Sequence, residues 1–171
     1  NTELLKAVEK LLIECSNNKK TTNNTNSNNN TNSNNTIHNT ININNYGEEN
    51  TKYITKQFIV DLLKNKPFKA IPEMIKYTHF NEEHPENQNI KITNKKEPYL
   101  KIMKNNKWQF VNKKNELLNL IDDKCFLLKE KYYKILEKKK YKLSEHQKEK
   151  IEEFMEKYKE DDKQVMLSLI E

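Results

Sequence analysis

The apolar positions of this chain begin with a short block at residues 4–15, stop almost completely, and resume from Ile54. In the first block Leu4, Val8, Leu11 and Cys15 are spaced 4, 3 and 4 apart, a heptad seam that Leu5 and Leu12 widen. A helix of about 13 residues is marginal alone in water, so it must pack on something. The polar sequence that follows offers no partner. The pattern therefore predicts a coiled-coil helix over residues 1–15 that joins copies of the chain into a homo-oligomer through residues 3–15. A helix docked on the later domain is the alternative.

Residues 16–45 hold 15 Asn, 6 Thr and 3 Ser in 30 positions. Such a run buries too little apolar surface to offset its chain entropy. Residues 16–50 are accordingly expected to form an Asn/Thr-rich low-complexity linker. Ile37, Ile41 and Ile43 alternate with polar residues towards Asn45-Tyr46-Gly47, in the manner of a short strand.

From residue 51 to 171 the pattern predicts a small α+β domain of short helices, a β-hairpin and long C-terminal helices. Thr55 is placed to cap a helix carrying Phe58, Ile59, Leu62 and Leu63, which Lys66-Pro67 interrupts. Pro72 sits in the first turn of another helix with Met74, Ile75 and Phe80. Ile90 and Ile92 alternate with Lys as a short strand does. Tyr99–Lys104 and Lys107–Val111 flank Asn105-Asn106, a two-residue hairpin signal because Asn tolerates positive φ. Leu100, Ile102, Trp108 and Phe110 are expected to share one core face. Asn112 then caps a long helix whose seam is Leu118, Ile121, Cys125, Leu128, Tyr132 and Ile135. Ser144 and Gln147 form a capping box ahead of a last helix with Ile151, Phe154, Met155 and Tyr158; Val165, Leu167 and Ile170 suggest a further turn.

Charge changes this picture. The net charge is +6, but residues 91–142 alone hold 16 Lys against 6 acids, whereas residues 143–171 hold 5 Lys against 9 acids. A concentrated basic stretch attracts phosphate backbones without reading sequence. The competing reading is a solvated lysine surface, or a basic face met by the acidic tail. Every basic residue is Lys, and Lys lacks the planar two-pronged contact by which Arg reads guanine. Abundant Lys and Asn also fit an AT-rich genome. One glycine rules out a glycine-rich phosphate loop, and no apolar run is long enough to span a membrane. The two cysteines, at 15 and 125, share no metal-binding spacing, which fits a reducing compartment.

Two groups of residues invite a chemical reading. Lys101, Lys104, Lys107, Lys113 and Lys114 cluster around the hairpin, with Tyr99 and Trp108 interleaved. Lysines hold phosphates and aromatic rings stack bases, so Lys101, Lys104, Lys107, Trp108, Lys113 and Lys114 are the candidate nucleic-acid contacts. Burial of Trp108 in the core is the competing expectation. The second group is the loop containing His79, Asn81, His84, Glu86 and Asn87, in the run His79-Phe80-Asn81-x-x-His84-Pro85-Glu86-Asn87-x-Asn89. His with Asn is a pairing found in metal-dependent nucleases. Such a site needs a further ligand at fixed spacing, and only His38 and His146 remain. Asn and Pro in a loop more often serve turn chemistry. No catalytic residues, metal or cofactor are expected.

The wording Ile71-Pro72-Glu73-Met74-Ile75, His79-Phe80-Asn81, His84-Pro85-Glu86-Asn87, Asn89-Ile90-Lys91-Ile92-Thr93-Asn94 and Trp108 resembles a domain in uncharacterised proteins of giant nucleocytoplasmic DNA viruses (mimivirus-like). The resemblance covers roughly residues 1–135. In that family a two-Cys-two-His zinc finger, a coiled coil and an Asn-rich linker often precede this domain. No residue here matches the finger. The resemblance implies a viral, DNA-associated protein of the host cytoplasm or viral factory, or of the virion, and assigns no catalytic residue.

These observations lead to the expectation of a non-enzymatic, oligomeric binding protein with a Lys-rich surface contacting nucleic acid non-specifically, with no membrane partner. A structural or protein-interaction module without nucleic-acid binding is the alternative. A metal-dependent nuclease using His79 and His84 ranks third.

Overall fold

The computed structural model describes residues 2–17, 41–136 and 142–157. Among the described residues, five helices and one three-stranded antiparallel sheet make the fold mixed α+β. The helices are α1 (Thr2–Asn17), α2 (Lys56–Asn65), α3 (Ala70–His79), α4 (Lys113–Leu136) and α5 (Glu145–Lys157). The strands are β1 (Ile90–Lys91), β2 (Tyr99–Lys104) and β3 (Lys107–Asn112), in the order β1-β2-β3. Short 3-10 turns occupy Pro67–Lys69 and Pro85–Asn87.

Local chemistry sets most element ends. Thr55 Oγ1 accepts the Phe58 N–H at 3.1 Å and starts α2. The helix stops before Pro67, whose ring excludes the helical conformation for Lys66, found at φ −143°, ψ 49°. Pro72 is tolerated in α3 because the first helical N–H groups lack an intrahelical acceptor. Asn105 and Asn106 adopt φ 51° and 58°, the left-handed pair that a two-residue hairpin needs. Asn112 Oδ1 caps α4 through the Asn115 N–H at 3.0 Å. Ser144 and Gln147 exchange reciprocal bonds of 3.3 and 3.1 Å at the start of α5.

Helix α4 is the spine. It packs against α1, α2, α3 and the β2–β3 hairpin, while α5 covers α2 and the Pro67–Lys69 turn. The seam Leu118, Ile121, Cys125, Leu128, Tyr132 and Ile135 is buried along its whole length. Leu117 and Leu120 are buried too, because a helix surrounded on several sides needs more than one apolar stripe.

Three boundaries differ from the sequence expectation. Helix α1 is not a free coiled-coil segment. Leu4, Val8 and Leu12 join the core with α3, α4 and β1, and Glu9 pairs with Lys113 Nζ at 2.7 Å. The buried line has the spacing 4, 4, so Leu12 points inward and Leu11 and Cys15 are only half-buried. Ser16 Oγ accepts the Ile92 N–H at 3.1 Å, which fastens the end of α1 to the strand region. Leu4, Val8 and Leu12 of the face assigned to a homo-oligomer are therefore covered by the chain itself. The span expected to be a linker, residues 16–50, also overlaps the folded unit. Residues 18–40 lie outside the described residues, but residues 41–50 belong to the folded unit: Asn44 N–H donates to the Glu86 carbonyl at 2.8 Å and Tyr46 N–H to the Met103 carbonyl at 2.7 Å. The domain thus gathers residues 2–17 and 41–50 to itself rather than beginning at 51. The expected turn around Val165, Leu167 and Ile170 lies outside the described residues, as does Tyr158.

The third difference concerns the sheet. Leu100 lies opposite Val111 and Ile102 opposite Gln109, whereas Met103 lies opposite Trp108 and Lys101 opposite Phe110. Residues directly across an antiparallel pair share a face, and successive residues alternate. Leu100, Ile102, Ile90 and Val111 therefore face the core. Trp108 and Phe110 stand on the other side, contrary to the expectation that they join it.

Candidate nucleic-acid interface

The outer sheet face holds Lys91 on β1, Tyr99, Lys101 and Met103 on β2, and Trp108, Phe110 and Asn112 on β3. No carboxylate stands on these strands. Phe110 is 66% exposed and Tyr99 50%, while Trp108 is half-buried beside buried Met103. Lys91 Nζ lies 3.7 Å from the centre of the Trp108 ring, and Lys101 Nζ 4.5 Å from that of Phe110. Such cation–π placement holds the ammonium groups over the sheet instead of letting them extend into water.

The structure divides the predicted lysines. Lys101 and Trp108 come together on this outer face. Lys104 and Lys107 are exposed partners at the hairpin end, with Lys104 in electrostatic reach of half-buried Glu116. Lys113 is committed elsewhere, because its Nζ meets the Glu9 carboxylate at 2.7 Å and the Lys95 carbonyl at 2.9 Å, with 14% of its side chain exposed. Lys114 is exposed in the first turn of α4. Sequence reading missed Lys91 and Phe110. The register of β1 on β2 brings Lys91 beside Lys101, and Phe110 alternates with inward residues in a way that only the direction of Leu100 fixes.

The second group, His79 to Asn89, forms an internal clasp. Asn87 is fully buried. Its Oδ1 accepts from Asn44 Nδ2 at 3.0 Å and from the Asn50 N–H at 2.9 Å, and its Nδ2 donates to the Asn50 carbonyl at 2.8 Å. His84 stacks on Tyr53, with ring centres 3.5 Å apart, and its Nδ1 lies 3.1 Å from Glu86 Oε1. Glu86 is half-buried, and backbone hydrogen bonding followed by His84 and Asn50 lowers its pKa. Asn81 Oδ1 accepts the Glu83 N–H at 3.0 Å, an ordinary turn bond. The loop residues thus hold the segment 44–53 against the domain.

His79, on the last turn of α3, lies below this clasp and is fully buried. Asn89 Nδ2 donates to Glu49 Oε1 at 2.8 Å and to the Asn45 carbonyl at 3.2 Å, so its Oδ1 is the acceptor facing His79 Nδ1 at 2.9 Å. His79 therefore carries its proton on Nδ1. Burial, then the Lys124 ammonium, lower its pKa to about 4, against the opposing pull of Glu49 and Asn89. Burial raises the Glu49 carboxyl, but His79, Lys124, the Gly47 N–H and Asn89 more than offset it and leave it below its ordinary range. Lys124, itself buried on α4, has its pKa lowered by that burial and raised by Glu49. Among the described residues no group of three or more His, Cys, Asp or Glu side chains is arranged to hold a metal ion. Neither does any helix among them have the length and apolarity to cross a membrane.

Comparison with protein-family models, with curated proteins and with solved structures finds no match.

Proposed function

We propose that this chain is a non-enzymatic binding protein that contacts nucleic acid non-specifically through the lysines of its sheet. One observation carries the reading: Lys91 and Lys101 share the outer sheet face, whose strands carry no carboxylate, and exposed Lys104 and Lys107 add charge at the hairpin end. Two ammonium groups on the outer face, with two more at the hairpin end, offer the spaced positive charge that a phosphate backbone attracts. The absence of Arg fits contact with phosphate rather than with base edges. The resemblance to giant-virus chains supports a viral, DNA-associated setting in the host cytoplasm or viral factory.

The test is a salt series of binding to single-stranded and duplex DNA by the full chain, beside a Lys101→Glu/Lys104→Glu/Lys107→Glu variant. The full chain is required because α1 and residues 41–50 are part of the fold. Affinity that falls log-linearly with salt and vanishes in the variant is the expected result. No binding at low salt would remove the proposal.

A protein-interaction module is the second reading. Phe126 and Tyr133 support it, since they stand seven residues apart on α4 and are 71% and 55% exposed. That reading requires a stable complex that Phe126→Glu disrupts, with no salt-dependent affinity for DNA.

A further inference from the structure

The outer sheet face carries more than charge. Large apolar side chains are normally withdrawn from water, and an exposed cluster of them marks a contact surface. Tyr99 and Phe110 are at least half exposed on the same face as half-buried Trp108. Phe110 and Trp108 are two residues apart on β3, which separates them by roughly 7 Å along the strand. Tyr99 and Phe110 are diagonal neighbours across β2 and β3, also roughly 7–8 Å apart. The rings thus form a spaced row instead of one closed stack. Lys91 and Lys101 each lie over one face of a ring, Trp108 and Phe110, so positive charge stands against the aromatic positions and a base would take the opposite face of those two rings.

We propose that this face is a stacking platform for single-stranded nucleic acid, with bases on Tyr99, Phe110 and Trp108 and the intervening phosphates on Lys91 and Lys101. The inference rests on the nucleic-acid reading above and adds the class of strand. Its logic is the difference between the two strand states. A duplex offers phosphates, but its base faces are covered by their own neighbours, so exposed rings gain nothing without paying to unstack it. A single strand offers both phosphates and open base faces. Lysines therefore serve both ligands, whereas the rings serve only one.

The test uses the full chain with short oligothymidylate and with a duplex of equal phosphate count, at one low salt concentration. Trp108 is the only tryptophan, so its fluorescence reports directly on the face. The expected result is quenching by oligothymidylate that saturates with binding. Phe110→Ala and Tyr99→Ala should each weaken oligothymidylate roughly 5- to 150-fold while leaving duplex affinity within about twofold, since stacking on an aromatic ring is worth that much per base. Phe110→Tyr, which keeps a ring, should restore the wild-type value and shows that the alanine effect is not a folding defect. Equal single-strand and duplex affinity, unchanged in the alanine variants but abolished by the lysine variant, would overturn the platform while leaving the charge-based reading intact. No binding of either ligand would overturn both. A two-chain mass that Phe110→Ala reduces to one would overturn the platform by showing that the face is covered by another copy.

Discussion

Asn87 shows how one side chain replaces a stretch of secondary structure. Residues 44–53 form no helix or strand, so their backbone groups need other partners. From a fully buried position Asn87 supplies two of those bonds, to the Asn50 N–H and carbonyl, and a third to the Asn44 side chain. Removing it leaves buried donors and acceptors unpaired, so Asn87→Ala is expected to cost about 2–3 kcal/mol, measured by chemical denaturation. A change under about 0.5 kcal/mol, the range of ordinary surface substitutions, would show that the clasp contributes little. His79 makes the neighbouring prediction. Its folded pKa of about 4 lies below the ordinary 6.5, so the unfolded chain binds the proton more readily. Stability from the neutral buried ring is complete above about pH 6.5 and is lost as pH falls towards 4, a loss of roughly 3 kcal/mol in full. Glu49, with its pKa lowered, loses stability in the same direction at still lower pH. Denaturation midpoints between pH 7.5 and 4.5 check this, with His79→Gln expected to be less stable at neutral pH and flatter across the range. An equal slope in that variant would assign the acid sensitivity elsewhere. The loop's His and Asn residues stood out in the sequence, but the partners of His79, Asn87 and Asn89 lie 10 to 44 residues away, so only the fold could tell a clasp from a metal site.

Helix α1 was legible as a helix, but the sequence left open whether it docks or forms a coiled coil. A heptad seam and a docking face use the same residue types at nearly the same spacing. Leu4 and Val8 serve both readings, and the choice turns on whether Leu11 or Leu12 points inward. Leu12→Ala is therefore expected to destabilise the folded domain by about 2–5 kcal/mol, the usual cost of a buried leucine, with no change in mass by light scattering. A variant with wild-type stability and a lowered oligomeric mass would restore the coiled-coil reading. The hairpin was legible to the residue, because two adjacent Asn between alternating strands leave few other turns open. Its facing was not. Alternation says that neighbouring residues point to opposite sides, and one shift of register sends every side chain the other way. With Trp108 and Phe110 alternating against Gln109 and Val111 on β3, either set is a plausible inner face by hydrophobicity until β2 pins Leu100 and Ile102 to the core.

At the scale of the molecule, the charge excess in residues 91–142 is spread over both the sheet and α4, and only part of it forms a common surface. Lys124 is buried and Lys113 is tied to Glu9, so neither is offered to a ligand. Four lysines on the sheet and hairpin predict a slope of about −3 for the logarithm of single-strand affinity against the logarithm of salt concentration, from roughly 0.7 per phosphate neutralised. Replacing Lys101, Lys104 and Lys107 by Gln should reduce the slope by about 2. A wild-type slope near −8 or beyond would mean that many more lysines take part than the sheet presents, and that α4 belongs to the surface.

What this sequence determines alone is local: helix caps at Thr55, Asn112 and Ser144, breaks at Pro67, the Asn105-Asn106 turn, the seam of α4 and the mixed α+β class. Each depends on bonds or steric limits within a few residues, which composition and spacing report directly. The tertiary structure decides where α1 docks, that residues 41–50 belong to the domain, that Asn87 and Asn89 are internal fasteners, and that Trp108, Phe110 and Tyr99 face solvent beside Lys91 and Lys101. Those outcomes rest on contacts between residues far apart in the chain. Alternative pairings of the same residue types differ there by only a few kcal/mol, and the packing of the whole chain selects among them.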